Sequence, residues 1–142
     1  MLLRRARLSD AYLLLRVEEL CFNDLAFSFR ALAYHVKNNI VVVCEIDEAI
    51  AGYYILSPLT KKKQRRLYSI GVHPDFRGHH IGYLLMMDLE KRSKAKTLIL
   101  EVDETNDAAI RLYKKCGYEV FGRYDKYYGS TGALRMRKLI KK

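Results

Sequence analysis

The sequence predicts a mixed α/β (α+β) fold: about four helices on a mostly antiparallel sheet of about seven strands, with one parallel pair at its centre. Three observations predict it. Apolar runs of strand length and stretches of helical period follow one another in the order β-α-α-β-β-β-α-β-α-β-β. In the middle of the chain strands are followed by helices, the connection that joins parallel neighbours. Elsewhere strands follow one another directly, as antiparallel hairpins do. With 142 residues, one domain over 1–142 is the default, and a 50% hydrophobic, 11% aromatic composition supplies a core for it.

The elements are justified in order. "LLRRAR" (Leu2 to Arg7) is a short first strand. Ser9-Asp10 offers a helix N-cap, and Leu13, Leu14, Val17, Leu20 and Cys21 then fall on one helical face. "FNDLAF" is a loop with aromatic anchors, and Ser28 to Asn38 forms a second, shorter helix. "NIVVVCEIDEAIAGYYILS" is two strands with a turn near Asp47-Glu48. "KKKQRR" (Lys61 to Arg66) is a charged connector, and "LYSIGVH" a strand ended by Pro74. Ile81, Leu84, Leu85 and Leu89 define the next helix, with its charged face in "EKRSKAK". Thr97 to Val102 is an apolar strand of the buried type. Asn106 caps the helix carrying Ala109, Leu112, Tyr113 and Cys116, and Gly117 closes it. "YEVFGRYDKYYGSTGALRMRKLI" finishes the chain as two strands around a Gly-Ser-Thr-Gly connection.

Lys and Arg number 26 against 16 Asp and Glu, a formal charge of +10. Such a balance suits an anionic partner: nucleic acid, an anionic membrane, an acidic peptide or a phosphorylated cofactor. It also suits a basic surface with no partner, and charge does not choose among these. "KKKQRR" reads first as a solvated hairpin, and otherwise as a contact for an acidic substrate or a ribosomal surface. No RNA-binding aromatic motif surrounds it, so direct nucleic-acid binding is not expected. Cys21, Cys44 and Cys116 are widely spaced and form no C-x-x-C, which points to reduced thiols. No apolar run reaches the length of a membrane span, and "MLLRRARLSD" is too short and basic for a signal peptide. The expectation is a cytoplasmic protein with no membrane partner. His73, His79 and His80 match no standard ligand spacing, so no metal is expected.

"HPDFRGHHIG" carries the first functional signal. A strand ends at Pro74 and a helix begins near His80-Ile81, with Arg77 and Gly78 between. The free N–H groups of a helix start and its dipole favour a phosphate, and glycine lets the backbone come close. The stretch is neither a Walker A loop nor a G-x-G-x-x-G fingerprint. Taken with "LILEVDETNDAAIRLYKKCGYEVFGRYDKYYG", it resembles the GNAT superfamily of acetyl-CoA-dependent N-acetyltransferases. Within that superfamily it is similar to the RimI-type branch, which acetylates protein N-terminal amines. The family's pyrophosphate motif, Q/R-x-x-G-x-G/A, falls on Arg77, Gly78, His79, His80, Ile81 and Gly82. Its first and last positions match, and His80 stands at the central glycine. The second signature, Asn, Ala, Leu-Tyr and Gly-Phe/Tyr, falls on Asn106, Ala109, Leu112-Tyr113 and Gly117-Tyr118 without a break.

The resemblance implies a GNAT fold whose parallel pair is splayed, and acetyl-CoA as co-substrate. It implies that backbone groups of Ile70, Gly71 and Val72 pair with the pantetheine arm, that Arg77 to Gly82 hold the pyrophosphate, and that Asn106 belongs to the same site. Glu101 is implied as the base and Tyr113 as the acid. "KYYG" resembles the "NYY" of RimI-type enzymes, which implies that Tyr127 and Tyr128 line a peptide entrance. Asp24, after the first helix, is a further candidate to meet the amine.

The implied partner is a protein or peptide N-terminus, ribosomal proteins included, acted on by a monomer or a homodimer. Chemistry leans the same way. An α-amine titrates at about 7.7–8.0 and lysine at about 10.4, so neutralising the first at pH 7 costs roughly 1 kcal/mol and the second nearer 5. One carboxylate suffices for the first task. Two rival readings stand beside it: an acetyltransferase of small amines such as a polyamine, amino acid or aminoglycoside, and a non-catalytic acyl-CoA-binding or basic interaction domain.

Overall fold

The structure, a computed structural model, describes residues 1–140; the side chain of Asp24, and so its expected contact with an amine, lies outside the described residues. The strands are β1 (Leu2–Arg5), β2 (Ile40–Ile46), β3 (Ala49–Leu56), β4 (Gln64–Val72), β5 (Thr97–Asp103), β6 (Glu119–Tyr128) and β7 (Thr131–Leu139). The helices are α1 (Ala11–Phe22), α2 (Phe29–Asn38), α3 (Ile81–Ser93) and α4 (Asp107–Lys115), with short 3-10 turns at Leu8–Asp10, Asn23–Leu25 and Pro74–Phe76. The strands form one sheet in the order β1-β2-β3-β4-β5-β7-β6. Among the described residues only β4 and β5 pair in parallel; the other pairs are antiparallel. The expected mixed sheet and helix number are therefore observed.

Local chemistry sets the boundaries. Ser28 Oγ accepts from the Ala31 amide at 3.1 Å and opens α2. Asn106 Oδ1 accepts from the Ala109 amide at 3.2 Å and opens α4. Gly117, at φ +96°, ends α4 in the left-handed region that glycine enters without strain. Arg4 clamps Asp10 at 2.8 Å and Glu45 at 2.9 Å, tying the start of α1 to β1 and β2. One expectation changes. Gln64, Arg65 and Arg66 belong to β4 rather than to a charged connector, because the Arg65 guanidinium donates to the carbonyls of Ser93 (2.6 Å) and Ser57 (2.8 Å). Those bonds satisfy a charge that would otherwise oppose strand burial.

Both sheet faces are covered, which is why β2 and β3 read as unbroken apolar runs. On one face Tyr54, Leu56, Leu67, Leu98, Leu100 and Met136 pack with Leu85, Met86 and Leu89 of α3 and Tyr113 of α4. On the other, Val41, Val43, Tyr53 and Ile55 pack with Leu14 and Val17 of α1 and Leu32 of α2.

A β-bulge in β4 positions everything that follows. Leu67 pairs with Leu56 and Ser69 with Ile55, so Tyr68 has no opposite number. Leu67 belongs to the α3-side core, whereas Ser69 hydrogen-bonds to Glu18 of α1 on the other face. The extra residue bends and twists the strand. The parallel ladder with β5 stops at the same point, its last pair being Leu67 with Leu100. From there β4 runs on to Val72 beside β3, and β5 to Asp103 beside β7, without pairing with each other.

The bent half of β4 lies close against β3 and α1. A Cβ added at Gly71 would sit 2.8 Å from Tyr53 Cε1 and 3.0 Å from Cys21 Sγ. Gly71→Ala is therefore expected to lower stability by about 1–3 kcal/mol, the usual cost of overpacking. Urea unfolding of the two proteins measures it; an unchanged midpoint would mean that the Tyr53 ring yields freely.

Candidate active site

The parting of β4 and β5 opens a cleft of about 630 Å³. Its walls are Arg66 to Val72 of β4 and Leu100 to Asp103 of β5, with Glu18 and Cys21 of α1 on one side. The loop residues Leu25 and Phe27, the start of α4 and the end of β6 complete it. The ladder ends at Leu67, so the edge of β4 from Tyr68 to Val72 that faces β5 has no strand partner. Backbone groups on such an edge need hydrogen bonds from another source.

The cleft brings together nine of the residues singled out in the sequence: Ile70, Gly71, Val72, Arg77, Glu101, Asn106, Tyr113, Tyr127 and Tyr128. Ile70, Gly71 and Val72 form the open edge. Arg77 lies back on the strand, its Nε donating to the Val72 carbonyl at 3.2 Å. Tyr113 is 6% exposed, and burial, with Tyr128 and Cys116 nearby, raises its hydroxyl pKa well above that of a free phenol. Tyr128 donates to the Glu101 carbonyl at 3.4 Å, and burial beside Tyr127 and Glu101 pushes its pKa up to about 12. Both phenols are thus neutral donors at physiological pH. Tyr127 stacks on Tyr124 and meets Tyr128 edge-on, which gives the mouth of the cleft an aromatic side.

The Glu101 side chain is only 5% exposed and stands between two cations. Oε1 is 3.4 Å from Arg66 Nε, and Oε2 is 3.6 Å from Arg135 Nε. Neither approach has hydrogen-bond geometry; Glu101 Oε2 and Arg135 Nε are both buried without a hydrogen-bond partner among the described residues. A buried carboxylate oxygen whose charge is balanced but whose lone pairs are open can accept a proton or a hydrogen bond from a bound group.

Gly78, His79, His80, Ile81 and Gly82 are not walls of this cleft; they form the entrance to α3. Ile81 is buried in the core, so it anchors the start of α3. Gly82 is explained by helix packing, since a Cβ there would lie 3.2 Å from Leu112 Cδ2 of α4. His80 is the N-cap residue at φ 60°, ψ 21°, and makes no side-chain cap. The first helical amide with an acceptor is that of Leu84, bonded to the His80 carbonyl at 3.1 Å. The preceding amides of α3 stay open, as an anion-binding helix start requires. The structure also gives a backbone reason for a glycine at the His80 position: the left-handed conformation costs a residue with a Cβ about 1–2 kcal/mol.

Sequence reasoning missed Arg66, Arg135, Glu18, Tyr53 and Ser69. Glu18 Oε1 accepts from Ser69 Oγ at 2.9 Å and from the Tyr53 hydroxyl, and Oε2 accepts from the Phe27 amide at 2.8 Å. Burial and the Glu18 charge raise the Tyr53 pKa. This buried carboxylate braces α1, the following loop and the bent half of β4 against one another. A signal was present: Glu18 falls four residues after Leu14, on the apolar face of its own helix. Arg135 gave none, and Arg66 figured only within "KKKQRR", read first as a solvated hairpin and otherwise as a contact for an acidic substrate or a ribosomal surface. No group of three or more His, Cys, Asp or Glu side chains among the described residues could hold a metal ion.

The chain is similar to known acetyltransferases. The model of the acetyltransferase (GNAT) family matches residues 8–118. The N-alpha-acetyltransferase RimI of Mycobacterium tuberculosis is 34% identical over 86 residues, 59% of this chain and 54% of that one. The chain spans about half the length of that relative, and 27% to 39% of three other curated relatives it matches. Among solved structures, the ribosomal-protein-S18-alanine N-acetyltransferase of Escherichia coli superimposes with a TM-score of 0.89 at 21% identity, covering 99% of this chain and 94% of that one. Ard1 from Thermoplasma volcanium gives 0.87 at 20% identity, covering 99% and 98%. The structural likenesses establish the fold.

The left-handed His80 gives a direct test. His80→Gly is expected to hold or raise stability, by up to about 1 kcal/mol, as the strain at φ 60° is relieved. Thermal and urea unfolding measure it. A clear loss would mean that the imidazole makes a stabilising contact the backbone argument omits.

Proposed function

The chain belongs to the GNAT acetyltransferase family, and we propose that it transfers an acetyl group from acetyl-CoA to the N-terminal α-amine of a protein. The observation that carries the reading is the splayed cleft: an open β4 edge, an uncapped helix start next in the chain, and a lining that includes both Tyr113 and Glu101. The names of the M. tuberculosis and E. coli relatives support the choice of amine, and so does the aromatic mouth at Tyr127 and Tyr128. The proposal carries with it a cytoplasmic setting, a single catalytic unit over 1–142, and ribosomal proteins among the substrates.

The residues divide the work as follows. Acetyl-CoA supplies an acyl group activated as a thioester. Ile70, Gly71 and Val72 offer the amide-bearing arm an edge to pair with, in the manner of an added strand. The open amides at the start of α3, with Arg77 and the helix dipole, receive the pyrophosphate. Attack by the amine nitrogen on the acetyl carbon forms a C–N bond and breaks the C–S bond. Glu101 accepts the proton that the amine loses, directly or through water, while Arg66 and Arg135 oppose retention of positive charge on the amine. The Tyr113 hydroxyl donates to the departing sulfur. Its raised pKa makes full proton transfer to a thiolate uphill, so hydrogen-bond stabilisation of the developing charge is its contribution.

Three outcomes are expected. Tyr113→Phe lowers kcat by about 10²-fold, at the lower end of the loss of one charge-stabilising donor, and leaves the thermal midpoint nearly unchanged. Steady-state kinetics with detection of free thiol, beside a thermal melt, separates this from a core role, in which kcat holds and stability falls. Second, a peptide with a free N-terminus is acetylated much faster than the same peptide blocked there but carrying a lysine. Mass spectrometry locates the acetyl group, and equal labelling of the lysine would overturn the α-amine. Glu101→Gln should cost most rate below the amine pKa of about 7.7–8.0 and progressively less above it. A pH-independent loss would remove the base role.

A further inference from the structure

Resting on the α-amine reading, we propose that Arg66 and Arg135 form a carboxylate-reading subsite beside Glu101, and that the preferred substrates carry an acidic side chain within their first few residues. Strand register places the three groups together. Ile99 pairs with Arg66 on one side and Arg137 on the other, and Glu101 pairs with Arg135. Paired residues share a sheet face, and this face is opposite the one on which Leu98 and Leu100 enter the α3-side core.

These two arginines differ from those whose guanidinium groups are fixed by hydrogen bonds, and they stand beside a buried carboxylate. Arg4, Arg65, Arg92 and Arg123 each donate to carboxylates or carbonyls within about hydrogen-bond distance, so their forks are occupied. The Arg66 and Arg135 side chains donate to no described acceptor; each only approaches Glu101, at 3.4 Å and 3.6 Å. Arg135 is held in place all the same, its guanidinium lying 4.7 Å from the centre of the Phe121 ring and 4.8 Å from that of Tyr124. A guanidinium oriented by aromatic rings, with its fork free, is prepared for a carboxylate. Glu101 cannot serve, because one oxygen is shared loosely with each cation and Oε2 remains unpartnered.

The path for such a substrate is also present. A second cavity, of about 370 Å³, adjoins the cleft through Arg66 and Tyr68, which line both. Ile99 and the Ser57–Thr60 segment complete its walls. A peptide whose amine sits at Glu101 and whose next residues turn toward this cavity passes Arg66. Arg66, its side chain 43% exposed, lines both cavities and is within reach of a substrate side chain, whereas Arg135, 24% exposed, stands across β5 from it, behind Glu101, and lines neither.

The test uses three peptides identical except for their second and third residues: two aspartates, two alanines or two lysines. Each is assayed with acetyl-CoA at low and at raised salt, with mass spectrometry of the product. The expected result is a kcat/KM for the acidic peptide at least about tenfold above that for the basic one, shrinking as salt screens the contact. In Arg66→Glu the ratio should collapse or invert, and in Arg66→Gln it should fall without inverting. Circular dichroism checks both variants for fold; should neither fold, the wild-type ratio and its salt dependence decide. A wild-type ratio near one, or one favouring lysine, overturns the subsite, as does a ratio unchanged in a folded Arg66 variant. Failure to acetylate any of the three, with turnover on small amines instead, overturns the α-amine reading and the subsite with it.

Discussion

The site depends on one constraint: two parallel strands that pair for only part of their length. Between Gln64 and Leu67 the β4–β5 ladder is intact, and beyond Leu67 it is gone. Unpaired backbone inside a protein is costly, so the separation has to be imposed and then held. The bulge at Tyr68 imposes it, by inserting a residue that turns the second half of β4 away. Glu18 holds it, because a buried carboxylate that accepts from Ser69, Tyr53 and Phe27 is satisfied only while α1, β3 and β4 keep that geometry. The open strand edge, the cleft and the position of Glu101 all follow.

Close approach and charge then shape what the cleft can do. Gly52, Gly71 and Gly82 mark places where a Cβ would meet a neighbour at about 3 Å: the β3–β4 contact, the α1 side of β4 and the α3–α4 contact. Their side-chain-free surfaces keep the helices tight around the splay. The +10 charge has a local pattern as well. Much of it is bound in pairs such as Arg4 with Asp10, Arg92 with Asp88 and Lys138 with Glu90. At Arg66 and Arg135 two cations flank one carboxylate, a local grouping inside a cleft that Glu18 and Asp103 also line.

Legibility varied by the kind of interaction. The helices and most strands were readable because period, caps and turn residues are local: Ser28, Asn106 and Gly117 act where they stand in the sequence. The start of β4 was misread because the fate of Arg65 depends on carbonyls of residues 57 and 93. The motif residues Glu101, Asn106, Tyr113, Tyr127 and Tyr128 were legible through resemblance, and they converge on one cleft. That Arg66 and Arg135 flank Glu101 was not legible, because strand register alone brings residues 66, 101 and 135 together.

The sequence by itself determined the order of elements, the mixed sheet, the helix start after Gly78 and the family signatures. Each rests on spacing along the chain or on the backbone preferences of single residues. Only the tertiary structure decided where β4 leaves β5, that Glu18 braces the opening, that His80 takes a left-handed conformation, and which two arginines flank Glu101. Those features arise from register, burial and the satisfaction of polar groups between segments distant in sequence, and a one-residue shift at Tyr68 is enough to send every later β4 side chain to the other face.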